Sequence, residues 1–287
     1  MEERSGGAHD VGTFTGTGGI ELHWQRWLPP EDPRAVIVLV HGFGEHGGRY
    51  ANVVQALVPR GYAVYSFDHR GHGRSPGPRG HIASWSEFRG DVAAFLAMVR
   101  RQTNLPVFLY GHSLGGLIVL EYALHHPAGL AGVVATGPIL TQPAVSPALQ
   151  MAARLVSRFA PRIAMDSRLD TSALSRDPEV VRLYREDPLV HGRATARLST
   201  EISAAVARTQ ANAAQWQVPL LLAHGGSDRI VLAAGTRAFF DRVTFADKQL
   251  LEYPEGFHEP HNDLEHDRVL LDITGWLEAH RPSEGGG

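Results

Sequence analysis

Gly111-His112-Ser113-Leu114-Gly115 sets a serine between two glycines in the pattern G-x-S-x-G. A serine in that pattern sits on a sharp strand-to-helix turn that lifts its Oγ clear of the backbone, and only small neighbours avoid collision there. By itself the pentapeptide reads equally well as an ordinary glycine-flanked turn. A serine hydroxyl becomes a nucleophile when a histidine takes its proton and a carboxylate holds that histidine in one tautomer. Asp228, closing His224-Gly225-Gly226-Ser227-Asp228, and His258, closing Pro254-Glu255-Gly256-Phe257-His258, supply those two groups. The chemistry so assembled is acyl transfer through an acyl-serine intermediate.

These side chains need a scaffold, and each follows an apolar run of strand length. Residues 105–110 lead to the serine, and residues 117–126 read as the helix behind it, stopped by Pro127. Residues 218–223 precede the Asp228 loop, and residues 249–253 precede the His258 loop. Residues 35–40, 63–67 and 130–135 are further apolar runs of the kind found in strands covered on both faces. Between them, helical spacing runs through Val53, Val54, Leu57 and Val58 up to Gly61, and through Phe88, Val92, Phe95, Leu96 and Val99, with Ser84 or Ser86 as cap. Later helices are expected at residues 233–242 and 267–280. Residues 20–28 alternate and read as an early edge strand. This rhythm predicts an α/β fold with a mostly parallel, doubly wound sheet and functional loops at the carboxyl ends of its strands.

After residue 135 the rhythm breaks for about 80 residues, too long for a structureless loop in a compact domain. Residues 140–212 are therefore expected to form an inserted helical subdomain, splitting the core into residues 11–139 and 213–281. Within it, Leu149, Ala152, Leu155, Val156, Phe159 and Ile163 share one helical stripe, with Arg154, Arg158 and Arg162 opposite. The plain reading is a core stripe beside a solvated arginine face, and the sharper one a face offered to lipid aggregates from a peripheral position on a membrane. The insertion holds ten arginines against seven Asp or Glu, so it is the basic part of a chain whose net charge is −3.

Composition narrows the function further. A 287-residue chain with 43% hydrophobic residues can bury a large core. A net charge of −3, without basic blocks, gives no electrostatic basis for binding nucleic acid. The absence of cysteine excludes disulfides, thiolate metal sites and a cysteine nucleophile. Residues 1–10 are polar and glycine-rich, and no run of about 18 apolar residues occurs, so a cytoplasmic protein is expected. Sixteen histidines invite a zinc site, yet HExxH is absent and His258-Glu259-Pro260-His261 has the wrong spacing with a proline inside it. No metal and no cofactor are expected. Asp68 reads as a turn residue, Asp187 as a helix boundary, His41 as a packed core histidine, and His69 and His72 as loop histidines.

Taken together, the segments resemble the monoacylglycerol lipase and lysophospholipase branch of the α/β-hydrolases. The resemblance rests on His41-Gly42-Phe43-Gly44-Glu45-His46-Gly47-Gly48-Arg49-Tyr50, Phe67-Asp68-His69-Arg70-Gly71-His72-Gly73-Arg74-Ser75, the serine motif, Tyr184-Arg185-Glu186-Asp187-Pro188-Leu189, the Asp228 motif and Phe257-His258-Glu259, in order from about residue 15 to 280. It implies an α/β-hydrolase fold with a helical cap, or lid, and a lipid ester substrate, most simply a monoacylglycerol, with a lysophospholipid or a general carboxylic ester as alternatives. It also implies an oxyanion hole from the backbone N–H groups of Phe43 and Leu114, and a headgroup pocket from Glu45, Arg49, His112 and Tyr184. Phe43 departs from the small residue expected there in the animal enzymes. A non-catalytic hydrolase-fold binding protein is the remote alternative, against which the intact Ser113, Asp228 and His258 set argues.

Overall fold

The structure, a computed structural model, describes residues 8–141 and 147–281. In chain order the elements are β1 (His9–Thr15), β2 (Glu21–Trp27), β3 (Ala35–Val40), α1 (Ala51–Leu57), β4 (Tyr62–Phe67), α2 (Trp85–Arg100), β5 (Val107–His112), α3 (Leu114–His125) and β6 (Gly132–Thr136). There follow α4 (Pro147–Phe159), β7 (Ala164–Asp166), α5 (Pro178–Glu186), β8 (Arg193–Thr195), α6 (Ala196–Ala211), β9 (Leu220–Gly225), α7 (Ala233–Arg242), β10 (Lys248–Tyr253) and α8 (His266–His280).

Eight strands form one sheet in the order β1-β2-β4-β3-β5-β6-β9-β10. From β4 to β10 neighbouring strands are parallel, while β2 joins β4 and β1 joins β2 antiparallel. Every residue of β3 is buried because the strand is covered on both faces. Val36, Val38 and Val40 face the core built with α2 and α3, whereas Ala35, Ile37 and Leu39 face the one built with α1 and α8. That two-sided burial is why the strand reads as an unbroken apolar run rather than an alternating one.

Two sequence expectations are corrected here. The strand within residues 20–28 is not the edge, since β1 lies outside it, paired from His9 opposite Trp27 to Thr15 opposite Glu21. β1 escapes notice because it buries only Phe14. Its Gly12 is required by the Trp24 ring, which a Cβ would approach to 2.9 Å. The second correction concerns α4. Its stripe is not core: Leu155, Val156, Phe159 and the following Ile163 are 51%, 41%, 78% and 52% exposed. The buried contact is polar instead, Ser157 Oγ lying 2.8 Å from Thr200 Oγ1 on α6. The side chain of Leu149 lies outside the described residues.

Helix starts follow local chemistry. Asp177 accepts the Glu179 N–H at 2.8 Å ahead of α5, where Pro178 occupies the first turn. Thr195 accepts the Leu198 N–H ahead of α6. Ser84 stands at the N-cap of α2 but turns to Ser86, and Glu201 on α6 accepts the Trp85 N–H at 2.9 Å in its stead. Residues between β6 and β9 also meet the core at its functional loops: the His191 N–H donates to Gly44 O at 2.8 Å, and the Glu259 N–H to Leu174 O at 2.8 Å. No helix among the described residues is long and apolar enough to cross a membrane.

Candidate active site

Ser113 joins β5 to α3 with φ 53° and ψ −113°. A non-glycine residue held there costs on the order of 1–3 kcal/mol and persists only when its surroundings over-determine it. They do so here. A Cβ at Gly115 would lie 2.0 Å from Val40 O, and one at Gly111 would lie 2.4 Å from Gly115 O, so the turn closes only with glycine on either side of the serine. The Ser113 N–H is tied to Thr136 O at 2.9 Å, and Ser113 O accepts from Leu117 and Ile139.

The loops after β9 and β10 bring the other two groups to this hydroxyl. His258 Nε2 lies 2.9 Å from Ser113 Oγ, and His258 Nδ1 lies 2.7 Å from Asp228 Oδ2. With Nδ1–H donating to the carboxylate, Nε2 is left to accept from the serine. All three side chains are buried. Burial alone would raise the Asp228 pKa, but hydrogen bonds from His224 and His258 and the Val231 amide outweigh it and hold the carboxyl well below its usual range. Oδ1 accepts the Ile230 and Val231 amides at 2.8 and 2.9 Å.

A cavity of about 710 Å³ opens over Ser113 and His258. One part of its wall is polar, formed by Glu45, His112, Tyr184 and Glu259, and the rest is mostly apolar, with Ile139, Leu174, Leu198, Ile202, Val206 and Leu232. Among the described residues, α6 lines the cavity and α4 does not. Phe43 also lines it, with its ring edge-on to His72 and His191 at 5.9 and 5.8 Å. Leu114 is the first residue of α3, where helix amides lack an intrahelical acceptor.

Of the four headgroup candidates, Glu45, His112 and Tyr184 reach the cavity, but Arg49 does not appear in its wall. Its guanidinium is enclosed by the Glu45 and Glu259 carboxylates and lies 4.6 Å from the Tyr184 ring centroid. Burial would lower the Arg49 pKa, and the two carboxylates more than reverse that. Glu259 is the residue that sequence reasoning left without a role. Despite burial, Arg49 pulls its carboxyl down to about 2.

The remaining side chains fall into structural places. His41 accepts the His69 N–H at 2.9 Å, Asp68 binds the Gly47 and Arg74 amides, and Asp187 ends α5 and meets His46 Nε2 at 2.8 Å. No group of three or more His, Asp or Glu able to hold a metal occurs among the described residues.

Comparison with known proteins places this geometry in a family. Residues 31–265 match the family described as serine aminopeptidase, S33, and the chain belongs to it. It is 40% identical over 271 residues to a monoacylglycerol lipase of Mycolicibacterium smegmatis, covering 93% of this chain and 96% of that one. Among solved structures, the monoacylglycerol lipase of Paleococcus ferrophilus superposes with a TM-score of 0.83 at 35% identity, covering 91% of this chain and all of the other. A soluble variant of the Saccharomyces cerevisiae monoglyceride lipase, at 24% identity and a TM-score of 0.85, shares the fold. The protein is a serine hydrolase with the α/β-hydrolase fold.

Proposed function

We propose that the protein hydrolyses single-chain lipid esters, most simply a monoacylglycerol to fatty acid and glycerol. The observation that carries this reading is the continuous line Ser113 Oγ, His258, Asp228 opening onto a cavity lined by the polar Glu45, His112, Tyr184 and Glu259 and by a larger set of apolar side chains. In this reading Ser113 Oγ attacks the ester carbonyl while His258 Nε2 takes its proton. The carbonyl oxygen, now an anion, is received by the Phe43 and Leu114 N–H groups, and each such donor contributes on the order of 2.7–4 kcal/mol to lowering the barrier. The tetrahedral adduct then expels glycerol, which takes the proton from His258, and water repeats the sequence to free the acid. Asp228 keeps the imidazole in its tautomer and stabilises the imidazolium. The acyl chain lies against Ile139, Leu198, Ile202 and Val206, and the glycerol lies toward Glu45, His112 and Tyr184.

Residues 140–212 act as a cap on a core of residues 11–139 and 213–281. The exposed stripe of α4 is the face through which the cap meets lipid aggregates, which sets the protein at the periphery of a membrane. The test is fatty-acid release from a monoacylglycerol, together with labelling by a fluorophosphonate. Wild type is expected to do both and Ser113→Ala neither. A folded wild type that fails to label sinks the proposal.

A further inference from the structure

Gly42 occupies a crowded point between the serine and a buried carboxylate. A Cβ there would lie 2.7 Å from Glu45 Oε1 and 3.3 Å from Ser113 Cβ. The Gly42 N–H donates to Glu45 Oε1 at 2.7 Å, and the Tyr50 hydroxyl donates to the same oxygen at 2.6 Å. The other Glu45 oxygen is held by Arg49 Nη1. Arg49 in turn clasps Glu259 through two parallel bonds of 2.8 and 2.9 Å, and the Asn262 amide donates to Glu259 Oε2 at 2.8 Å. Gly42 immediately precedes Phe43, and Glu259 immediately follows His258. One unbroken line of charge-assisted hydrogen bonds therefore joins the Gly42 N–H, one peptide before the candidate oxyanion donor, to the residue next to the candidate base.

We infer that Glu45, Arg49 and Glu259 form a brace that positions the Phe43 N–H relative to His258, and so act on the acyl-transfer step whatever alcohol the ester carries. The inference rests on the proposed roles of Phe43 and His258. Glycine has the widest backbone freedom of any residue, so both peptides that meet at Gly42 must be tied for the Phe43 N–H to stay aimed at one point; on the Phe43 side His41 Nδ1 meets Gly42 O at 2.8 Å. Glu45 supplies the tie on the other side, through the Gly42 N–H. A misplacement of about 1 Å from a change away from the chemistry costs on the order of a hundredfold in rate. Arg49, absent from the cavity wall, is placed to hold two carboxylates and not a glycerol hydroxyl.

The experiment compares two substrates: a monoacylglycerol, and a short-chain p-nitrophenyl ester that has no glycerol. Glu45→Gln keeps shape and acceptor oxygen but loses the charge. Arg49→Lys keeps the charge but cannot form the parallel pair. Each preparation is counted by fluorophosphonate titration and checked for a cooperative melt, so that only folded enzyme enters kcat. The brace predicts that both variants lose kcat by the same factor on both substrates, roughly ten- to a hundredfold, with KM for the monoacylglycerol nearly unchanged. An aryl-ester kcat equal to wild type, with a raised KM for monoacylglycerol alone, would make these residues headgroup contacts and overturn the inference. If Glu45→Gln melts without cooperativity, Tyr50→Phe takes its place, stripping a single donor from the same oxygen. A shared loss of kcat then supports the brace, and unchanged kcat on both substrates overturns it. Wild type inert on both substrates would instead remove the parent proposal.

Discussion

His224 Nε2 lies 3.2 Å from Asp228 Oδ2, the same carboxylate oxygen that His258 Nδ1 meets at 2.7 Å. Its other nitrogen, Nδ1, lies 2.8 Å from Thr236 Oγ1, and Nε2 also lies 2.8 Å from Val231 O. Facing a carbonyl and a carboxylate, Nε2 carries the hydrogen and shares it between them. This donor helps to hold the Asp228 carboxyl below its usual range. Hydrogen bonds to a charged group contribute about 1.5–3 kcal/mol. His224→Phe, which keeps the ring and removes the donor, is expected to lower kcat roughly tenfold. Rates on a soluble aryl ester check this, and a kcat equal to that of wild type would show that His258 and the two amides suffice.

What could be read before the fold was seen is what local sterics or periodicity enforce. The glycines around Ser113 were legible because Val40 O and Gly115 O leave no room for a Cβ, and β3 was legible because both its faces are buried. Asp228 and His258 were legible because each closes an apolar strand. The pairing of Arg49 with Glu259 was not, since it joins positions 210 residues apart and nothing near either residue announces the other. Nor could periodicity say what the α4 stripe faces. A stripe of Leu155, Val156 and Phe159 has the same spacing whether a core or solvent lies against it, and only the Ser157–Thr200 contact shows which way the helix turns.

Five buried histidines, with the half-buried His191, make the fold acid-sensitive. Burial holds His41, His69, His72 and His112 well below the ordinary 6.5, and pushes His191 and His261 down to about 4. Between pH 6.5 and 4 the unfolded chain therefore binds protons that the folded chain refuses, so stability rises with pH and is lost as pH falls through that window. Each fully buried group contributes up to about 1.4 kcal/mol per pH unit, so several acting together lose within one or two pH units an amount comparable with a whole net stability of about 5–15 kcal/mol. Acid unfolding should thus fall near pH 5, above the range in which carboxylates titrate. Urea melts from pH 8 to 4.5 check this, with His261→Gln expected to flatten the slope by about one histidine's share. Stability that stays level down to pH 4 would contradict it.

The polar wall of the cavity carries two carboxylates, Glu45 and Glu259, against the single guanidinium of Arg49 that both share. Arg229, which unlike Arg49 lies in the wall itself, is 3.7 Å from Asp170 and stacks 5.2 Å from the Phe257 ring. One negative charge is left in excess where the headgroup would rest, and opposing like charges across an interface costs several kcal/mol. A 1-acyl-glycerol is therefore expected to be turned over with kcat/KM on the order of a hundredfold above that of its 3-phosphate, despite the basic character of the insertion. Matched acyl chains below their aggregation thresholds give the comparison, and equal constants would refute the charge argument.

Leu155 and Phe159 lie side by side on α4, exposed to 51% and 78%, with Arg158 5.8 Å from the Phe159 ring. Substituting them should barely alter folding, since surface changes away from special contacts are usually within about 0.5 kcal/mol. At a lipid surface the same side chains would each contribute about 1.5–3 kcal/mol on burial. Leu155→Ser combined with Phe159→Ser is therefore expected to keep the wild-type melting temperature and the wild-type rate on a soluble aryl ester. Binding to phosphatidylglycerol-containing vesicles, and turnover of monoacylglycerol dispersed in them, should both fall tenfold or more, because two such side chains together exceed the roughly 1.4 kcal/mol that corresponds to a factor of ten. Equal losses on the soluble ester would assign the helix to the architecture of the cavity. Undiminished vesicle binding would leave the exposed stripe without a lipid partner.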